Sequence, residues 1–224
     1  MLSSLLQDGF CVVPRVLSNA NREELLAQIA AQSGAHVHGA RDLLDHLFIR
    51  ELARDPEIRA LVEPILGTDC FAVRGLFFDK TPEANWLVPR HQDLTIAAQE
   101  RGEVEGFGPW SLKDGVPHVQ PPRGWLESML SVRLHLDECD QTNGALRVVA
   151  GSHESGKLSA TEIAARFESR GETVVPVPVG GAMVFRPLLI HASSPAQSPS
   201  HRRVVHLEFA GRELPDGLKW KWRV

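Results

Sequence analysis

The sequence predicts an α+β protein, mainly β, with N-terminal helices packed on a jelly-roll or cupin-like barrel. Three observations predict it. Apolar residues recur at helical spacing up to Gly67. Beyond Gly67, short runs rich in Phe and Val alternate apolar with polar residues. Gly, Pro and Asn-Gly punctuate these runs at close intervals, as turns between strands do.

The helical part comes first. Ser18 or Asn19 can cap a helix that runs to about Ser33, with Leu25, Leu26, Ile29 and Ala30 at core-facing spacing. Arg41 to Arg54 carries a second amphipathic pattern through Leu43, Leu44, Leu47, Phe48 and Leu52. Pro56 sits well in the first turn of a third helix, which Gly67 ends. The strands follow. Asp69 to Lys80 is the first, and Ser128 to Asp137 is the clearest, with Val132, Leu134 and Leu136 on one face and Arg133, His135 and Asp137 on the other. Asn143-Gly144 is a turn signal before a strand at Ala145 to Ala150. Thr173 to Val179, Ala182 to Arg186 and Val204 to Ala210 complete the strands, and a short helix lies between Thr161 and Arg170. Thr81 to Pro122 reads as a long loop rich in Pro and Trp, the kind of insertion that carries function. The expected organisation is one domain over 1–224, with a mostly helical extension at 1–67 and a β core at 68–211.

Composition narrows the class. A chain of 224 residues that is 43% hydrophobic can bury a sizeable core. A formal net charge of −4 with scattered basic residues argues against a nucleic-acid partner. No run approaches a membrane span, and the first residues lack the features of a signal peptide. Cys11, Cys70 and Cys139 are distant and odd in number, which suits free thiols in a reducing compartment, so a cytoplasmic location is expected. Tyr is absent, so aromatic contacts to a ligand must come from Phe, Trp or His.

Three His-x-Asp/Glu pairs occur: His91/Asp93, His135/Asp137 and His206/Glu208. Residues two apart on a strand share a face, so each pair offers one metal a nitrogen and an oxygen. A facial triad adds a distant His and keeps open coordination positions. His91/Asp93 opens the long loop, and its partner is His191, 100 residues later at the end of an apolar run. His135/Asp137 and His206/Glu208 read as polar positions of ordinary strands. Mixed N/O ligands suit an octahedral metal better than structural zinc.

The ordered set of His91-x-Asp93, His191 and then Arg202 eleven residues on resembles the phytanoyl-CoA dioxygenase-like family of Fe(II)/2-oxoglutarate oxygenases. Asp8 to Pro14 resembles the family's opening strand, and Asp137 to His153 its central hairpin. The resemblance implies a double-stranded β-helix that holds Fe(II) through His91, Asp93 and His191, the catalytic centre. It implies that Arg202 binds the far carboxylate of 2-oxoglutarate, helped by Ser193. Lys80 and Arg133 are further candidates for co-substrate contact. With O2 and 2-oxoglutarate, such an enzyme oxygenates an unactivated C–H bond and releases succinate and CO2. The carboxylate at Asp93 points to hydroxylation rather than halogenation. Trp86, Arg90 and Trp110 are the candidate substrate contacts, with Lys113, His118 and Trp125 in the same stretch. Expected partners are a small-molecule substrate and neither membrane nor nucleic acid, in a monomer or weak homodimer.

Two other readings use the same residues. One is a zinc or manganese cupin with non-oxidative chemistry, in which Arg202 needs no fixed spacing. The other is a non-catalytic barrel that binds a small ligand.

Overall fold

The computed structural model describes residues 2–33, 38–197 and 200–224. Helix α1 (Leu2–Gln7) leads into β1 (Phe10–Val13), then α2 (Asn19–Ser33), the short β2 (Gly39–Ala40), a 3-10 turn (Leu43–Asp45), α3 (Leu47–Arg54) and α4 (Pro56–Leu66). Strands β3 (Phe71–Lys80), β4 (Val88–His91), β5 (Ile96–Ala97), β6 (Trp110–Lys113) and β7 (Val116–Val119) follow, then α5 (Arg123–Glu127) and β8 (Met129–His135). The rest is β9 (Leu146–Val148), α6 (Ala160–Arg170), β10 (Thr173–Val175), β11 (Ala182–Phe185), β12 (His191–Ser193) and β13 (Arg202–Ala210).

Local chemistry explains the helix boundaries. Ser18 Oγ accepts from Asn21 N–H at 3.1 Å at the start of α2. Asp55 accepts from Glu57 N–H at 2.7 Å beside Pro56, and α4 stops at Gly67, whose φ of +87° favours glycine. Ser159 and Glu162 form a reciprocal capping box at α6. No helix among the described residues is long and apolar enough to cross a membrane.

Two antiparallel sheets make the barrel. One has six strands in the order β1-β11-β8-β13-β3-β2, the other four in the order β10-β9-β12-β4. This is the jelly-roll, mainly β architecture expected. Strand alternation divides the six-stranded sheet. Val205, Leu207 and Phe209 of β13 join Val132 and Leu134 of β8 in the core beneath the helices, with Leu25, Ile29, Ile49 and Ile58. Arg202, His206 and Glu208 of β13 face the barrel interior with Arg133 of β8. Met183, Phe185, Leu146 and Val148 close the space between the two sheets. All three cysteines are buried and free.

Three expectations change. The stretch from Thr81 to Pro122 is more than a loop: it contains β4, and β5, β7 and β6 form a third sheet. Asp137 to His153 is no hairpin. Both edges of β8 are taken by β11 and β13, and both edges of β9 by β10 and β12, so Asn143-Gly144 carries the chain from one sheet to the other. Asp137 leaves the face of Arg133 and His135 once β8 ends. It accepts a two-pronged hydrogen bond from Arg203 at 2.8 and 2.7 Å.

Candidate metal and co-substrate site

His91 and His191 are remote in sequence but directly opposed across the β4–β12 ladder. Their rings lie 4.3 Å apart, and Phe185 packs edge-on to His191 at 5.2 Å. Asp93 follows β4 by two residues, and its N–H bonds Pro187 O at 2.9 Å. Between them, the buried Gln92 turns away and clamps the segment. It donates to Gly156 O at 2.8 Å and Leu188 O at 2.7 Å and accepts from Leu158 N–H at 2.8 Å. The outcome is a cluster of three potential ligand atoms within 4.8 Å of one another.

The tautomers are set by the backbone. His91 Nδ1 lies 2.8 Å from Pro89 O, and His191 Nδ1 lies 2.9 Å from Leu189 O. A carbonyl only accepts, so both Nδ1 atoms carry a proton and Nε2 is the atom each ring presents to the cluster. Each Nε2 is 3.7 Å from a different oxygen of Asp93. Burial works to raise the Asp93 carboxyl, but His191, His91, His206 and Arg74 outweigh it and hold it below the ordinary range. Burial pushes His191 down to about 4, so it is neutral at pH 7. Two imidazoles and one carboxylate on one side of a space form a donor set for a divalent ion with open positions. Structural zinc, by contrast, takes a closed set of four ligands.

The three ligands open on a cavity of about 400 Å³, also lined by Arg133, Ser193 and Arg202. Arg202 is 2% exposed, and its Nη1 donates to Gly144 O at 2.7 Å. The Nε atoms of Arg202 and Arg133 are buried and find no partner among the described residues. Lys80 is fully buried just behind this wall and donates to Ser193 Oγ at 2.8 Å and Ser194 O at 2.7 Å. Burial, then Arg202 and Arg133, push the Lys80 ammonium down to about 7. Two guanidiniums and a partly protonated Lys80, without a carboxylate among them, form an electrostatic demand for an anion. Gly144 makes room for the cluster: its φ is +87°, and a Cβ there would sit 3.0 Å from Ser194 O and 3.3 Å from Lys80 Nζ.

The sequence candidates divide. His91, Asp93, His191, Arg202, Ser193 and Arg133 meet at the cavity, and Trp86 and Lys113 line it. Lys80 stands behind Ser193 and does not line it. Arg90 points away, stacking on Phe167 at 3.4 Å and approaching Glu172 at 3.7 Å. Trp110 packs on the cluster of Phe71, Ile96 and Trp220, and Trp125 against Phe107 and Arg212. His118 is buried and bonds Val116 O at 3.0 Å. Of the charged lining residues, Arg41 and Arg74 were not among the candidates, and His206 and Glu208, read as polar positions of an ordinary strand, line the cavity as well. The available signal was the pairing of two alternating strands. Glu208 stands opposite Arg74 in the β13–β3 register, and the two form a buried ion pair at 3.0 Å.

Comparison with known proteins agrees with this architecture. The family model described as phytanoyl-CoA dioxygenase (PhyH) matches residues 5–204. L-proline trans-4-hydroxylase of Streptomyces griseoviridis is 24% identical, over 86% of this chain and 73% of that protein. The non-haem alpha-ketoglutarate-dependent carbocyclase SnoK from nogalamycin biosynthesis superposes with a TM-score of 0.71 at 16% identity, covering 93% of this chain and 82% of SnoK. HygX from Streptomyces hygroscopicus with iron bound superposes at 0.67 and 17% identity, covering 95% of this chain and 89% of HygX. At such identities the superpositions establish the fold.

Proposed function

From the premise that this chain belongs to the phytanoyl-CoA dioxygenase family, and is thus an Fe(II)- and 2-oxoglutarate-dependent dioxygenase, we propose that His91 Nε2, His191 Nε2 and an Asp93 oxygen hold the iron. Arg202 takes the far carboxylate of 2-oxoglutarate. Arg133 adds charge at the same wall, and Lys80 fixes Ser193 from behind. The reaction hydroxylates a C–H bond of a small molecule. Substrate, O2 and 2-oxoglutarate become hydroxylated product, succinate and CO2. The bound iron supplies the oxygen-activating chemistry. The chain's own residues bind, orient and exclude water. The whole chain 1–224 acts as one unit, since helices α2 to α4 share a core with β8 and β13.

One observation favours this reading over a zinc or manganese cupin and over a passive ligand-binding barrel. A buried cationic wall without a carboxylate faces the same cavity as the three ligands. A metal acting alone needs no such wall, whereas a chelating dianion does. Similarity to an L-proline trans-4-hydroxylase agrees with a small substrate, as does a cavity near the lower end of ligand pockets (about 300–1,000 Å³). Anaerobic addition of Fe(II) and 2-oxoglutarate tests it. A weak visible charge-transfer band should need both additions and vanish in His91→Ala. A band that survives that substitution, or never forms, refutes the assignment.

A further inference from the structure

The cavity has a second charged end that the co-substrate does not use. Arg202 and Glu208 both face it from β13 but are six residues apart, roughly 20 Å along an extended strand. A five-carbon dicarboxylate held at Arg202 is far too short to reach Glu208. The remote end is built from Arg74, Glu208, Lys113, Thr95 and Arg41.

Its charges can be paired off. Arg74 is held by Glu208 at 3.0 Å, with both side chains under a tenth exposed. Burial works to raise Glu208, but Arg74 and His206 outweigh it and keep it ionised. Arg41 is engaged by Asp114 at 2.8 Å. His118, beside this end, is driven down by burial and is neutral at pH 7. Lys113 remains. Its Nζ donates to Thr95 Oγ1 at 2.8 Å, and among the described residues no carboxylate lies within ion-pair distance of it. Burial, then the nearby Arg74, push this ammonium down and outweigh the opposing pull of Glu208 and Asp93, neither of which pairs with it. Thr95 is only two residues beyond Asp93, so Lys113 stands beside the ligand-bearing segment and faces the same space.

Taking the cavity as the oxygenase site, we infer that the substrate carries a single carboxylate and that Lys113 anchors it, with Arg74 as a second donor fixed by Glu208. The surplus at this end is one positive charge, which a monoanion neutralises and a phosphate dianion exceeds. Leu76, Phe78, Trp86 and Leu94 form the apolar walls between the anchor and the rest of the cavity, so the body of the substrate is apolar and small.

The test compares three matched pairs: hexanoate with hexanamide, cyclohexanecarboxylate with its carboxamide, and benzoate with benzamide. Binding is read as thermal shift in saturating 2-oxoglutarate, anaerobically, with and without Fe(II). The readout needs no turnover. Formation of the Fe(II)–2-oxoglutarate band is recorded separately and reports on the metal reading alone. At least one acid should bind tenfold or more tightly than its amide. Lys113→Met should erase that preference, and Lys113→Arg should keep most of it. Failure of every acid to outbind its amide overturns the inference. So does a preference that survives Lys113→Met, since the acid then sits elsewhere, at the co-substrate end included.

Discussion

Replacing Arg202 by Ala separates co-substrate recognition from metal binding more cleanly than any other change. The guanidinium is 2% exposed, spends one N–H on Gly144 O at 2.7 Å, and leaves its Nε without a protein partner. It stands among Arg133 and Lys80, with no carboxylate in the cluster. Truncating one member of a buried charge pair costs about 2–5 kcal/mol. At about 1.4 kcal/mol per tenfold, the Kd for 2-oxoglutarate should rise by about 30-fold to several thousandfold. The proposed iron ligands sit on β4, β12 and the segment after β4, none of which contacts the Arg202 side chain through a hydrogen bond, so Fe(II) affinity should change little. The ligand-free protein should not lose stability through electrostatics, because the substitution removes a positive charge from beside Arg133 and the partly protonated Lys80. Arg202→Lys should recover only part of the affinity, since a single ammonium cannot form a fork. The assay is anaerobic titration of the Fe(II)-loaded protein with 2-oxoglutarate, followed by the charge-transfer band, with Fe(II) binding measured separately. A Kd within threefold of wild type, or loss of Fe(II) binding, refutes the reasoning.

Gly144→Ala should lower Tm and weaken 2-oxoglutarate binding together. It places a Cβ at φ +87° within 3.0 Å of Ser194 O, a strain of about 1–3 kcal/mol, and a Tm and Kd both unchanged would show that the turn is not constrained. His135 is 1% exposed, its ring nitrogens find no partner among the described residues, and burial, Arg133 and Arg202 drive its folded-state pKa well down. The unfolded chain therefore takes up this proton first, and the stability present above about pH 6.5 is lost as pH falls below it. His135→Leu should reduce the slope of unfolding free energy between pH 6.5 and 5 by up to about 1.4 kcal/mol per pH unit, read by denaturant melts; an unaltered slope argues against a neutral buried ring. Asp137→Ala removes the fork from a half-buried Arg203 and should cost about 1 kcal/mol or less, with Fe(II) and 2-oxoglutarate binding unchanged. Loss of Fe(II) binding in that variant would move the metal to the His135/Asp137 pair.

Some of this molecule is written locally and could be read from the chain. His91, Asp93, His191 and Arg202 are legible because metal and carboxylate chemistry restricts residue types, and a two-residue step on a strand keeps two side chains together. The caps at Ser18, Asp55 and Ser159 are legible for the same reason: a helix end needs an oxygen at one position. Strand pairing is not local. Every residue of β8 is buried, so alternation separates two faces without saying which one is lumen and which one lies under the helices. That choice hides Arg74 from sequence reasoning, brings the set-aside pair His206/Glu208 to the cavity and turns Asp137 outward to Arg203. It also decides that Asn143-Gly144 joins two sheets and that Arg90 and Trp110 serve packing. The amino-acid sequence was enough to put forward the proposed ligand set, because residue type and spacing carry that chemistry, and family resemblance added the proposed co-substrate arginine. Only the tertiary structure decided what else the cavity offers, because a side chain's neighbours across a barrel depend on sheet order and register, which no short stretch of chain contains.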